Sequence, residues 1–169
     1  MKAKSINGNS PSAIQAALQQ SMADGFLPTL AIVFISVKQD RKAVCDILSN
    51  EGIDIFGATS CGEFTNGHQS EGETSILLLE VSRAYYSIII EDVEHADVER
   101  AASLLAEKAL QQFNKPTFLL TCNGVYGEGR YFDGNTLVKT LVEKLGDDCI
   151  FFGGMAGDDG NIKNSYGFS

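Results

Sequence analysis

The placement of glycine restricts the folds open to this chain more than any other feature. Of the 17 glycines, four lie within residues 57–72, four within 124–134 and four within 153–160, and none lies within 73–123. Each of these three segments follows a short apolar run that predicts a strand. Because glycine permits positive φ angles and close approach of the backbone to another group, the pattern predicts strands that end in tight, glycine-rich corners.

The first half of the chain has the pattern of a β-α-β unit. Ser10 and Pro11 predict a helix start, and Gly25 ends that helix. Residues 29–36 form an almost continuous apolar and β-branched run, which is typical of a strand buried on both faces. Asp40 is placed to cap a second helix that closes at residues 50–52, and a second strand follows at 53–56.

The second half adds further strands and helices. We expect strands at 75–82 and 85–92 in an antiparallel hairpin, a helix at 96–113, a strand at 117–122, a helix capped by Asn135 or Thr136, a strand at 148–154 and the beginning of one more strand after 160. The fold class predicted is α/β: a layered mixed β-sheet flanked by helices, with β-α-β units and one antiparallel hairpin.

If the strands before the three glycine corners are parallel neighbours, the corners converge at one rim, where α/β sheets bind ligands. The side chains at that rim combine hydroxyl, thiol, amide, carboxylate and guanidinium groups. Such a crevice suits a zwitterion such as an amino acid, with Arg130 on its carboxylate and Glu63 or Asp158 on its ammonium group. The candidate ligand-binding side chains are Thr59, Ser60, Cys61, Glu63, Asn123, Tyr126, Arg130 and Asp158.

Charge and cysteine content exclude several classes of function. The formal net charge is -9 and no Lys or Arg cluster is present, which argues against a nucleic-acid partner. The longest apolar run, at residues 30–35, is too short to insert into a membrane, and no secretory signal precedes it. The four cysteines have no C-x-x-C spacing, which argues against a disulfide framework or a metal site. We therefore expect a cytoplasmic protein.

Two other functions start from the same residues. Residues 58–62 loosely match a nucleophile elbow, so that Cys61 or Ser60 with His68 as base would give a hydrolase or transferase, but no helix follows the turn. A haem cofactor would need an axial ligand, and His68 and His95 are the only imidazoles, both in polar surroundings. We expect no catalysis and no resident cofactor, with haem as the alternative.

Two motifs in order along the chain match a known pattern. The first is GATSCGEF, in which Gly57, Thr59, Ser60, Gly62 and Glu63 fit a small-residue turn; the second is GGMAGDD, in which Gly153, Gly154, Ala156, Gly157 and Asp158 fit a segment that precedes an aromatic-containing strand. With the order of helices and strands between them, the chain from about residue 30 to 168 resembles the amino-terminal part of the FIST sensory domain.

The resemblance implies a bacterial, intracellular signal-input domain that binds a small ligand, with amino acids proposed for the family and haem-based nitric-oxide sensing in a subset. It adds Gly62, Gly153, Gly154 and Gly157 to the candidate ligand-binding residues. It also implies a signalling partner such as a histidine kinase, a cyclic-di-GMP enzyme or a chemotaxis transducer. We expect residues 1–169 to be a single domain that lacks its last strands and a carboxyl-terminal partner domain, or that pairs as a homodimer.

Overall fold

A mixed sheet of five strands organises the fold in the computed structural model, which describes residues 1–93, 97–126 and 129–169. The strands lie side by side in the order β1 (Lys2–Gly8), β6 (Thr74–Glu80), β2 (Leu30–Ser36), β3 (Asp54–Ser60) and β11 (Gly167–Phe168). The central pair, β2 and β3, is parallel, and every other pair is antiparallel. This sheet confirms the predicted mixed α/β class.

Two helices, α1 (Pro11–Met22) and α2 (Arg41–Asn50), cover one face of the central sheet. Both start as predicted: the Ser10 side chain accepts a hydrogen bond from the N–H of Ala13, and the Asp40 carboxylate accepts one from Ala43. These bonds satisfy backbone donors that the first helical turn leaves open. Alternate residues of β2 face the helices, and the resulting core includes Ile14, Leu18, Val33, Val44 and Leu48, all fully or almost fully buried.

A smaller α/β unit lies beside the β3 and β11 edge. It consists of the parallel strands β7 (Thr117–Asn123) and β10 (Ile150–Ala156) and the helices α3 (Val98–Gln112) and α4 (Gly134–Leu145). The helices pack on one another around Ala102, Ala106 and Leu141, with Leu120 and Phe151 of the strands against them. Two short hairpins complete the fold: β4 (Glu63–Thr65) with β5 (His68–Ser70), and β8 (Val125–Tyr126) with β9 (Arg130–Tyr131).

One predicted hairpin is wrong. Residues 75–82 do contribute a strand, β6, but residues 85–92 form none, and a short 3₁₀ turn at Arg83–Tyr85 leads the chain out of the sheet. The reason is that β6 already has a neighbour on each side, β1 and β2, so that neither edge is left for a hairpin partner. Strand β1, which the sequence did not predict, occupies the outer edge.

Several boundaries also differ. Strand β2 is not buried on both faces, since Phe34 is 46% exposed on the side without helices. Strands β3 and β10 run on into the predicted corners, as far as Ser60 and Ala156. Helix α4 is capped by Asp133 rather than by Asn135 or Thr136, and α3 begins at Val98 with Asp97 as its cap. Its predicted first residue, Ala96, lies outside the described residues.

Within the ranges that the structure describes, no helix is both long and apolar enough to cross a bilayer.

Candidate functional site

The first glycine corner, after β3, turns its polar groups inward. The Ser60 hydroxyl donates to a Glu63 carboxylate oxygen at 2.5 Å, and the other Glu63 oxygen accepts the backbone N–H groups of Gly72 and Glu73 at 3.1 and 3.0 Å. Glu63 is only 1% exposed. A buried carboxylate needs such donors to offset its lost hydration. Through these hydrogen bonds, Ser60 and Glu63 hold the β4–β5 hairpin against β6.

The third corner, after β10, binds directly to the first. The N–H of Gly157 donates to the Thr59 carbonyl at 2.8 Å, and the Thr59 hydroxyl donates to the Gly157 carbonyl at 2.5 Å. A Cβ atom on Gly157 would lie 2.4 Å from the Cys61 sulfur, well inside van der Waals contact. Glycine at this position therefore lets the smaller unit lie directly against β3.

Asp158 is the acceptor for the loop that follows it. One carboxylate oxygen accepts the N–H of Ile162, and the other accepts those of Lys163 and Asn164, at 2.7–3.2 Å. Burial alone would raise the pKa of Asp158, but these backbone donors outweigh it and hold the pKa below its ordinary value. The loop so formed leads back to β11, and the N–H of Tyr166, directly before that strand, donates to the Thr59 hydroxyl oxygen at 2.9 Å.

The second corner meets the other two through Asn123. We call this meeting point, at Thr59, Asn123 and Gly157, the junction. The Asn123 side-chain oxygen accepts the N–H of Gly167 at 3.2 Å, which ties the end of β7 to β11. The three corners thus converge, although β3 and β7 are not neighbours in one sheet as the sequence analysis supposed. Of the remaining candidates, Gly62 and Cys61 are exposed at the first corner, Arg130 is exposed on β9, Tyr126 ends β8, and Gly153 and Gly154 lie within β10.

A cavity of about 500 Å³ lies between the central sheet and the smaller unit, next to this junction. Its walls come from β3 and β11 (Phe56 and Phe168), from the segment 88–93, from α3 and the start of α4, and from residues 119–123 of β7. Most of these side chains are apolar, and Asn123 and Tyr166 connect the cavity to the glycine corners. Among the lining residues that the structure describes, Asn123 is the single predicted site residue.

The charged groups in the cavity wall are acidic. Glu91 and Asp92 line it, and no Lys, Arg or His is among the described lining residues. Glu91 forms an ion pair with Lys108 of α3, whereas Asp92 is exposed. Burial raises the pKa of the Cys122 thiol, which keeps it protonated at neutral pH. The wall can therefore hold an apolar group and face a positive charge.

The described residues that a thiol enzyme or a haem sensor would need are not arranged for either kind of chemistry. The His68 ring nitrogen Nε2 lies 2.9 Å from a Glu73 carboxylate oxygen on the exposed hairpin, and the Ser60 hydroxyl is bonded to Glu63 rather than to a histidine. No described histidine lines the cavity, so the described residues do not offer an imidazole there as a haem ligand. His95 lies outside the described residues. Among the described residues no cluster of three His, Cys, Asp or Glu side chains is placed to hold a metal ion.

Sequence reasoning found the corners but missed most of the cavity. Phe56 and the α3 residues Val98, Ala101 and Leu105 carry no polar group that would distinguish them from core. The segment 88–93 did carry a signal, three consecutive isoleucines before two acids, but a β-branched run predicts a strand before it predicts a cavity wall.

Comparison with known proteins identifies the family of this chain. No curated protein and no solved structure matches the chain. The family model described as the FIST N domain matches residues 29–169, which include β2, β3, both glycine motifs, the smaller unit and the cavity. The match covers well over half of the chain. This protein therefore belongs to the FIST family, a family of sensory domains.

Proposed function

We propose that this FIST domain senses a small, amino-acid-like ligand that binds in the cavity between the central sheet and the smaller unit. The observation that carries the proposal is the cavity itself: its volume of about 500 Å³ lies within the usual range of ligand sites, roughly 300–1,000 Å³. It is also bounded by both halves of the domain, that is, by the central sheet and by the smaller unit. A ligand in this position contacts both halves at once.

The chemistry of the wall favours an amino acid with an apolar side chain. The isoleucines at 88–90 and the α3 residues provide apolar surface, and the carboxylate of Asp92 is available to an ammonium group. Asn123 adds a side-chain amide on the side of the glycine corners. Glu63 and Asp158 are already bonded to backbone N–H groups, so we assign them to supporting the corners rather than to direct contact with the ligand.

Signalling follows from this position. A ligand that contacts both halves stabilises the closed junction at Thr59, Asn123 and Gly157, and so changes the surface that a histidine kinase, cyclic-di-GMP enzyme or chemotaxis transducer would contact. The domain performs no catalysis and needs no resident cofactor in this scheme. Of the other predicted site residues, Cys61 borders the junction directly, since its sulfur lies against Gly157, and its surroundings should change when the junction closes.

Thermal unfolding in the presence of apolar amino acids tests the proposal. A ligand that binds only the native state stabilises it by about 2.7 kcal/mol at one hundred times its dissociation constant. Leu105→Trp, which fills the cavity from α3, should abolish that stabilisation. Leu110→Trp is the matched control, since Leu110 lies on the same helix, is 46% exposed and is not part of the wall.

Two outcomes would contradict the proposal. One is the absence of stabilisation by any of the amino acids in the wild-type protein. The other is equal stabilisation of the wild type and Leu105→Trp, which would mean that the ligand binds elsewhere.

A further inference from the structure

The cavity meets β7 along its edge rather than on one face. Successive side chains of a strand point to opposite faces, so a cavity on one face contacts every second residue. Here five consecutive residues of β7, 119–123, line the cavity. A second part of the wall, residues 88–93, is also continuous along the chain. Backbone groups of both segments therefore border the cavity.

This edge of β7 has no partner strand among the described residues. The whole of β7 pairs with β10 on its other side, in register from Thr117 with Ile150 to Asn123 with Ala156. On the cavity side, the contact with β11 is a hydrogen bond from the Gly167 N–H to the Asn123 side chain. In a strand paired on one side, alternate residues direct their N–H and C=O groups to the open side.

Soluble proteins usually protect an open strand edge with charges, proline or a covering segment. Strand β7, with the sequence TFLLTCN, contains no charged residue and no proline. The segment 88–93 lines the same cavity but forms no strand. An edge of this kind is suited to pairing with an added strand, in which backbone hydrogen bonds provide affinity and pockets select alternate side chains.

The negative charge of the cavity wall favours an added strand that places a positive group next to it. Glu91 and Asp92 line the same cavity as the edge of β7, and no described lining residue is cationic. Since Lys108 pairs with Glu91, the carboxylate of Asp92 is the one left to face a positive group of the ligand. In an extended ligand that group is best supplied by a free amino terminus.

We infer that the ligand class of this cavity is a short, extended peptide with apolar side chains and a free amino terminus, which adds as a strand to the open edge of β7. At about 3.3 Å per residue, the stretch 119–123 spans roughly 13 Å and pairs with about three to five residues. The inference rests on the proposed function, because it names the ligand of the same cavity.

Calorimetric titration with matched probes tests the inference. Trileucine should bind more tightly than leucine by at least about tenfold, because it adds backbone hydrogen bonds to β7. Trileucine with N-methyl groups on both peptide nitrogens keeps its apolar side chains but loses two N–H donors, and it should bind about tenfold more weakly than trileucine. On binding of trileucine, the backbone amides within 119–122 that face away from β10 should gain protection from hydrogen exchange.

The role of the peptide's free amino terminus is tested by one substitution, at Asp92. Asp92→Asn should weaken binding of trileucine several-fold and leave binding of N-acetyl-trileucine unchanged. Asp148→Asn removes a 90% exposed carboxylate outside the cavity and should change neither. Because Asp92 is itself exposed, its substitution is not expected to impair folding.

The possible results separate the two proposals. If leucine binds as tightly as trileucine, or N-methylation has no effect, the peptide inference is wrong while a Leu105→Trp-sensitive amino-acid site still stands. If every amide within 119–122 is already protected without peptide, including those that face away from β10, the edge is occupied and the peptide inference is also wrong. If neither leucine nor trileucine binds, both proposals fail.

Discussion

Two buried carboxylates, Glu63 and Asp158, organise the loops of this domain through backbone N–H groups. Glu63 accepts from Gly72 and Glu73, and Asp158 accepts from residues at the start of the last segment of the chain. An ionised carboxylate is a stronger acceptor than a neutral oxygen. Both residues fit the two motifs from which the family resemblance was drawn. These hydrogen bonds from backbone N–H groups explain why each position carries an acidic residue, and the explanation does not require either carboxylate to contact a ligand.

The hydrogen bonds of Asp158 make stability depend on pH in a defined direction. Its folded pKa lies below the ordinary value of 3.8, so its contribution is complete above pH 3.8 and is lost as the pH falls through the folded pKa. We expect Asp158→Asn to lower the free energy of unfolding by about 1.5–3 kcal/mol at pH 6. The difference from wild type should shrink below pH 3.8.

Urea unfolding between pH 6 and pH 2.5 measures both effects. Asp148→Asn, at a carboxylate that is 90% exposed, is the control and should follow the wild-type curve. A constant difference between Asp158→Asn and wild type across this pH range would contradict the assigned ionisation.

At the scale of elements, Gly157 allows β10 to meet β3. Its N–H and C=O both bond to Thr59, and a Cβ would lie 2.4 Å from the Cys61 sulfur and 3.0 Å from the Cys61 backbone nitrogen. We expect Gly157→Ala to destabilise the protein by about 1–3 kcal/mol through overpacking. Gly154→Ala is the matched control, since a Cβ there meets nothing within 4 Å.

Chemical unfolding of the two variants gives the comparison. In the double variant Gly157→Ala/Cys61→Ala, part of the lost stability should return, because the sulfur contact is removed while the backbone contact remains. Equal effects of Gly157→Ala and Gly154→Ala would show that the close approach of β10 to β3 has no energetic role.

How far the sequence predicted each element depended on how local its determinants are. The caps Ser10 and Asp40 and the strands β2 and β3 were correct because a hydroxyl or carboxylate before a helix, and a run of β-branched residues, act within a few residues. Residues 85–92 were wrong because pairing is decided by which edges are free, and β1 and β2 take both edges of β6. No local pattern reports that competition.

The same distinction applies to the candidate site. The glycine-rich corners were predictable from the sequence and they do converge, but not for the reason predicted, since β3 and β7 belong to different sheets. The cavity itself was not predictable. Residues such as Phe56 and Leu105 belong to elements distant in sequence, and they differ from buried core residues only because one side of each faces the cavity. Which polar groups remain available to a ligand was equally hidden, because backbone donors to Glu63 come from nine and ten residues away.

At the scale of the molecule, the described residues form two hydrophobic cores of unequal size. The core of the central sheet contains large, fully buried side chains, among them Phe26, Leu48 and Leu78. The core of the smaller unit is built on Val98, Ala102, Ala106, Leu137 and Leu141 and borders the cavity. Because hydrophobic stabilisation grows with the apolar area buried, the smaller unit should open at a lower free energy than the central sheet.

Native-state hydrogen exchange at increasing urea measures these two free energies separately. We expect amides of β7, α3 and α4 to exchange through an opening that leaves those of β2 and β6 protected. A cavity ligand such as trileucine should raise the opening free energy of the smaller unit toward that of the central sheet, because it contacts both. In Leu105→Trp, with the cavity filled, trileucine should change neither value. If both units already open together without ligand, the junction is rigid, and signalling must use a change other than the closing of the two halves.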